Sequence, residues 1–410
     1  MDTADRLHAL DAVRAIALLL GVVLHSAAAF LQDFPMAMWR DQPSAVAAVI
    51  YFTIHMFRMS AFFLIAGFFA RMQLERRGVR SFIKDRAKRV GVPLLFFPLV
   101  LVSISLGLVA GALPHGVDFL MSLVQAPPAE STGEVPAAVE GGGLNFAHLW
   151  FLYYLLLFYA LALVIRTFVH NLDPQAKLAA LCDRLIAFLL SGPWGPVLIA
   201  LPVVGWLWQF ERWNEWLGLP APTAMLPDMT ALIGYGAAFG LGWLLHRQIP
   251  RLLALEKSWP MYLALAVVLT IVCLKLIGTT PHWQGPVLAG DTRLYYTFAY
   301  VIGLWCWIFA FIGAAVKFLS APNARVRYLA DASYWIYLLH MSTIIFVLTL
   351  LRPYDLHWGI KFVLMVAGSL PLLLLSYHYL VRFTLVGAIL NGRRHERPLN
   401  TPAPAAQPQS

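Results

Sequence analysis

Long apolar runs recur along this chain, separated by short polar stretches. Ten of them reach the length a helix needs to cross a bilayer, about 20 residues. They lie at approximately 12–32, 47–70, 91–113, 147–166, 193–210, 229–246, 260–278, 294–316, 332–350 and 359–381. A lipid interior offers no water to the backbone, so such runs predict helices. The chain therefore reads as an all-α, polytopic membrane protein of about ten spans. One outer stretch, roughly 114–146, has no Lys or Arg and is rich in Pro, Gly and Ala, which predicts a flexible loop. The tail 398–410 predicts disorder, leaving residues 1–397 as a single membrane domain. There is no internal repeat and no matched pair of broken helices of the inverted-repeat transporter kind.

Composition agrees: the 410 residues are 60% hydrophobic and 12% charged, with mean hydropathy +0.70, where soluble domains carry about 25% charged residues. The net charge of +9 raises the question of nucleic acid, and the distribution of charge answers it. Of the 30 Lys and Arg, 23 fall in segments on one side of the alternating spans, six on the other, and Arg58 lies inside a span. The basic excess is a topology signal that places both termini in the cytoplasm, with weak attraction to anionic lipid and no nucleic-acid partner. No A-x-A-like site follows the first apolar run, so no cleavable signal peptide is expected. Cys182, Cys273 and Cys306 have neither metal-ligand nor disulfide spacing and read as small buried hydrophobes.

Against this apolar background the polar residues inside spans stand out. In the first segment, Arg14 and His25 are separated only by apolar residues and glycine. Eleven steps at roughly 100° per residue bring His25 to within about 20° of Arg14, three turns and about 16 Å along the axis. Asp11 joins the same side. Ionisable groups within a span usually face a cavity or a partner. Two readings are open for His25: a hydrogen-bonded helix-contact residue, or a general base. In the second segment His55 and Arg58 share a face, and Arg58 falls near the midplane, about a dozen residues from either end of 47–70. No acid lies deep in any predicted span. The partner of Arg58 is then Asp11 or Asp331 drawn inward, a cluster of carbonyls, water, or an anionic ligand.

The basic stretch 71–89 reads as a cytoplasmic loop in which Arg86 and Arg89 share a face and are placed to hold phosphates. His148 and Trp150 open the fourth segment, either as part of an interfacial aromatic belt or as the lining of an acceptor site, since sugar rings stack on indoles. In the ninth, Asp331 is a candidate N-cap, and Ser333, Tyr337 and His340 form one polar stripe, for interhelical hydrogen bonding or for function. His378 and Arg382 pair similarly near the end of the tenth.

These elements together resemble the membrane acyltransferase-3 family. The family's Arg-x10-His is matched by Arg14 and His25, and its FF-x-x-[SA]-GF element by residues 62–68. Its R-x-x-R followed by proline is matched by Arg86, Arg89 and Pro93, and its S-Y-x-x-Y-x-x-H element by Ser333, Tyr334, Tyr337 and His340. Ala66 stands where many members carry serine. The matches span residues 11 to about 340.

The resemblance implies a bacterial inner-membrane O-acyltransferase that moves an acyl group, succinyl foremost, from cytoplasmic acyl-CoA to a hydroxyl of a periplasmic glucan. Succinyl-CoA or acetyl-CoA is then a co-substrate, with no permanently bound cofactor and no metal. On this reading His25 is the base, and Arg14 either contacts the donor's phosphates or pantetheine end or is held by Asp11. Beyond what the resemblance implies, the midplane position of Arg58 predicts that it, with His55, neutralises the distal carboxylate of a succinyl group. Two other readings stand beside it: O-acetylation of lipopolysaccharide or exopolysaccharide, and a transporter of glycan or acyl donor.

Overall fold

The computed structural model describes residues 3–35, 39–98, 146–210 and 213–392. The predicted tail and most of the segments 91–113 and 114–146 lie outside them. The described residues are helical and contain no strand. In chain order the helices are α1 (Thr3–Ala28), α2 (Ala45–Arg86), α3 (Trp150–Leu172), α4 (Lys177–Leu189), α5 (Gly195–Gln209) and α6 (Met229–Leu245). They continue with α7 (Ile249–Ile277), α8 (Gly290–Phe318), α9 (Ala324–Leu351), α10 (Trp358–Ser376) and α11 (Leu385–Asn391).

Seven helical stretches among the described residues are long and apolar enough to span a membrane. One of them, Met229–Ile277, carries two predicted segments across a 3-10 turn at His246–Gln248. Helix α5 is shorter, at 15 residues. Helix α4 was not among the predicted spans. It leaves Leu178, Leu181, Leu185 and Phe188 exposed, an apolar stripe suited to an interface.

Three sequence expectations change. The stretch 71–89 is helix rather than loop, because α2 runs on through it. The run is broken only at Gly78, whose φ of 74° lies in a region that glycine enters without a Cβ penalty, and it passes through a π-helical turn at Ala87–Gly91. Asp331 is not an N-cap: α9 begins earlier, capped by Asn323, whose side chain accepts from the amides of Arg325 and Val326. Of the cysteines, all free, Cys182 is only half-buried, while Cys273 and Cys306 are buried.

Helix α1 occupies the middle of the packing, against α2 and α9 and touching α8 and α10. Its small residues Ala9, Ala12, Ala15, Ala17 and Ala27 are all buried, which lets neighbouring backbones come close. Close approach is also what joins α2 to α6. A Cβ at Gly242 would overlap the carbonyl of Leu64, and one at Gly67 that of Phe239. Two buried ion pairs tie the connections together at the ends of helices: Lys361 with Asp41 at 2.9 Å and Arg293 with Glu215 at 2.9 Å.

Candidate active site

Three helices bring the site together. Helices α1 and α9 both run away from the Arg14 end, and α2 runs back toward it. His25, His340 and Arg58 meet where the three touch. The rings of His25 and His340 are 5.1 Å apart, and that of His148, from the turn before α3, is 5.4 Å from His340, edge to face.

Two of these imidazoles have their tautomers set by carbonyls. His340 Nδ1 lies 2.6 Å from the carbonyl of Tyr337, and an oxygen of that kind only accepts. The proton is therefore on Nδ1, and Nε2 carries a lone pair. His148 Nε2 likewise faces the carbonyl of Leu338 at 3.1 Å. His340 is buried, 4% exposed, and its Nε2 has no hydrogen-bond partner among the described residues. His25 and Arg58 are half-buried.

Gly21, one turn before His25, makes room for this arrangement. A Cβ there would overlap the Arg58 guanidinium and lie 4.0 Å from His340 Nε2. Sequence reading passed over Gly21, although an isolated glycine in an apolar helix, four residues before a histidine, is a visible signal.

Below the cluster is a cleft, open to solvent. Arg14, Arg86 and Arg89 line it, Leu18, Phe62 and Phe151 are among its apolar walls, and Ser333 and Tyr337 also face it. The structure thus brings Arg14 to Arg86 and Arg89, which lie far from it in sequence. Arg14 pairs with Asp11 at 3.2 Å. Arg86 and Arg89 share Asp85, at 3.4 and 3.8 Å, and Arg86 also donates to the Tyr159 hydroxyl. Ala66 lines the same cleft, so a serine there would present its hydroxyl to whatever fills it.

Other predicted residues have more local roles. Ser333 donates to the carbonyl of Ala330 in its own helix. Tyr337 reaches another element, donating to the carbonyl of His148 at 2.7 Å. Trp150 is 6% exposed and packs on Phe63, Tyr154 and Tyr235; it belongs to the aromatic core and not to the cleft wall. His378 and Arg382 meet Tyr328, the latter over its ring.

Away from the Arg14 end, a belt of rings that the sequence did not reveal runs from His25 to His55. Trp39 lies 6.4 Å from His25; Phe34, Trp283 and Trp216 follow. Tyr51 then stacks on both Trp216 and His55, with interplanar angles of 12° and 17°. Phe34, Tyr51 and Trp283 are half-buried.

The structure is that of a multi-pass helical membrane protein with a histidine cluster close to an arginine-lined cleft. Residues 7–378 match the acyltransferase-3 family, described as an acyltransferase domain, and the chain belongs to that family: it is a membrane acyltransferase. Among curated proteins it is similar to glucans biosynthesis protein C of Escherichia coli. The proteins of strains SMS-3-5 / SECEC and O6:K15:H31 are each 25% identical to it over 419 residues, 98% of both chains. That of strain O81 is 25% identical over 434 residues. No solved structure matches it.

Proposed function

We propose that this protein is an inner-membrane O-acyltransferase that takes an acyl group, succinyl foremost, from cytoplasmic acyl-CoA and delivers it to a hydroxyl of a periplasmic glucan. The observation that carries this is the cleft: three arginines and apolar walls line it, and Tyr337, also in its lining, has its ring 6.0 Å from that of His340 in the histidine cluster. The nucleotide phosphates of the donor pair with Arg14, Arg86 and Arg89. The narrow pantetheine arm follows the apolar walls, and the thioester arrives beside His25.

A sugar hydroxyl is a poor nucleophile until its proton is removed during attack. His25 takes that proton as the sugar oxygen bonds to the thioester carbon. The adduct collapses, the carbon–sulfur bond breaks, and the CoA thiolate recovers the proton from His25. His340, whose bare Nε2 faces the same space, supports that proton transfer. The acceptor approaches over the aromatic belt, where Phe34, Tyr51 and Trp283 offer ring faces for sugar C–H groups. The Lys and Arg distribution supports cytoplasmic termini and about ten spans, with the Arg14 end of α1 inside.

The test is release of CoA thiol by purified protein in detergent, supplied with succinyl-CoA and glucan. His25→Ala is expected to lower the rate by about 10²–10⁴-fold, the usual contribution of a positioned base, with the thermal midpoint unchanged. Glycan movement across vesicles without thiol release would instead make the protein a transporter.

A further inference from the structure

The guanidinium of Arg58 is the least explained charge in the site. It sits at the junction of α1, α2 and α9, against Gly21. Its Nε is buried and has no hydrogen-bond partner, and no ion pair among the described residues includes it. Asp11, one of the acids the sequence offered as its partner, is paired with Arg14. The electrostatic neighbours of Arg58 are the phenols of Tyr51, Tyr235 and Tyr337. Two of these spend their protons elsewhere, Tyr337 on the carbonyl of His148 and Tyr235 on those of Leu219 and Pro220. A cation within a span is expensive unless something compensates it.

We propose that Arg58 is the specificity residue for the acyl group: its guanidinium, seated in the space left by Gly21, pairs with a second carboxylate on the acyl chain. The protein thereby prefers a short dicarboxylic acyl donor to a plain one. This rests on the acyl-CoA reading above. The spacing suits it. Gly21 and His25 are four residues apart, about 6 Å along the helix, a separation that a four-carbon chain spans with its thioester at His25 and its carboxylate at Arg58. An arginine–carboxylate pair in a desolvated site is directional as well as strong. Gly21 is part of the arrangement, because a methyl group there would crowd Nη1 of the guanidinium and push it aside.

The experiment compares succinyl-CoA with acetyl-CoA in wild type, Arg58→Met and Gly21→Ala. Arg58→Met is expected to lower kcat/KM for succinyl-CoA by about 10–100-fold, the range for a hydrogen bond to a charged group, while changing that for acetyl-CoA less than about 3-fold. Gly21→Ala, which retains the arginine but displaces it, is expected to shift the preference the same way by a smaller factor. Equal loss with both donors would overturn the proposal and assign Arg58 to the carbonyl oxygen that all acyl groups share; unchanged preference would overturn it as well. Binding is measured separately in a His25→Ala background, where Arg58→Met is expected to weaken succinyl-CoA and leave acetyl-CoA unchanged. That comparison does not depend on turnover, so failure of the catalytic reading and failure of the selectivity proposal give different results.

Discussion

At the scale of single residues, the site divides into groups that hold the donor and groups that act on it. Arg86 and Arg89 hold: both face the cleft mouth and both share Asp85, so part of their charge is already balanced and the remainder is available to phosphate. Replacing either with alanine is expected to raise KM for acyl-CoA about 10-fold, the loss of one charge-assisted hydrogen bond, with kcat nearly unchanged. An acyl-pantetheine donor lacking the nucleotide should be turned over equally by variant and wild type; a fall with both donors would place these arginines in the chemistry instead. The division was partly legible in sequence. Arg14, His25, Arg58 and His340 are polar residues in apolar runs and advertise themselves. Gly21 was visible and passed over. Tyr51, Trp39 and Trp216 carried no signal, because an aromatic ring in a membrane helix is ordinary until its neighbours are known.

Helix pairing sets how closely these groups approach. Helices α2 and α6 meet backbone to backbone at Gly67 and Gly242, where a Cβ would overlap a carbonyl of the opposite helix. Lipid supplies little hydrophobic drive between helices, so close packing of small residues carries the association. Gly242→Leu is therefore expected to destabilise the fold by about 1–3 kcal/mol, the usual penalty for overpacking, read as a lower thermal midpoint in detergent. Gly240→Leu, two residues away with nothing near its Cβ position, is the control and should shift it little. The apolar period that predicts such helices does not say which face meets which partner. For that reason the long helical run of α2 through the basic stretch, and the early start of α9, emerged only with the structure.

For the molecule as a whole, the helices are held in register partly by buried charge. Lys361 and Asp41, 4% and 5% exposed, join the α1–α2 connection to α10. Removing one member of such a pair strands the other, at about 3–5 kcal/mol. Lys361→Met should thus lower stability by that order, and adding Asp41→Asn should restore much of it. If the double variant is no better than the single one, the pair is not what joins these segments.

The sequence alone determined the class of molecule: apolar runs of membrane length, a one-sided distribution of Lys and Arg, and four ordered motifs that mark the acyltransferase-3 family. These are local or additive properties, read from short stretches of chain or summed along it. Only the tertiary structure decided that Arg14, Arg86 and Arg89 share one mouth, that Trp150 belongs to the core, and that Arg58 rests on Gly21 beside His340. Those facts depend on which helix faces which. That is fixed by the fit of small and large residues across interfaces between segments hundreds of positions apart, and no window along the chain contains it.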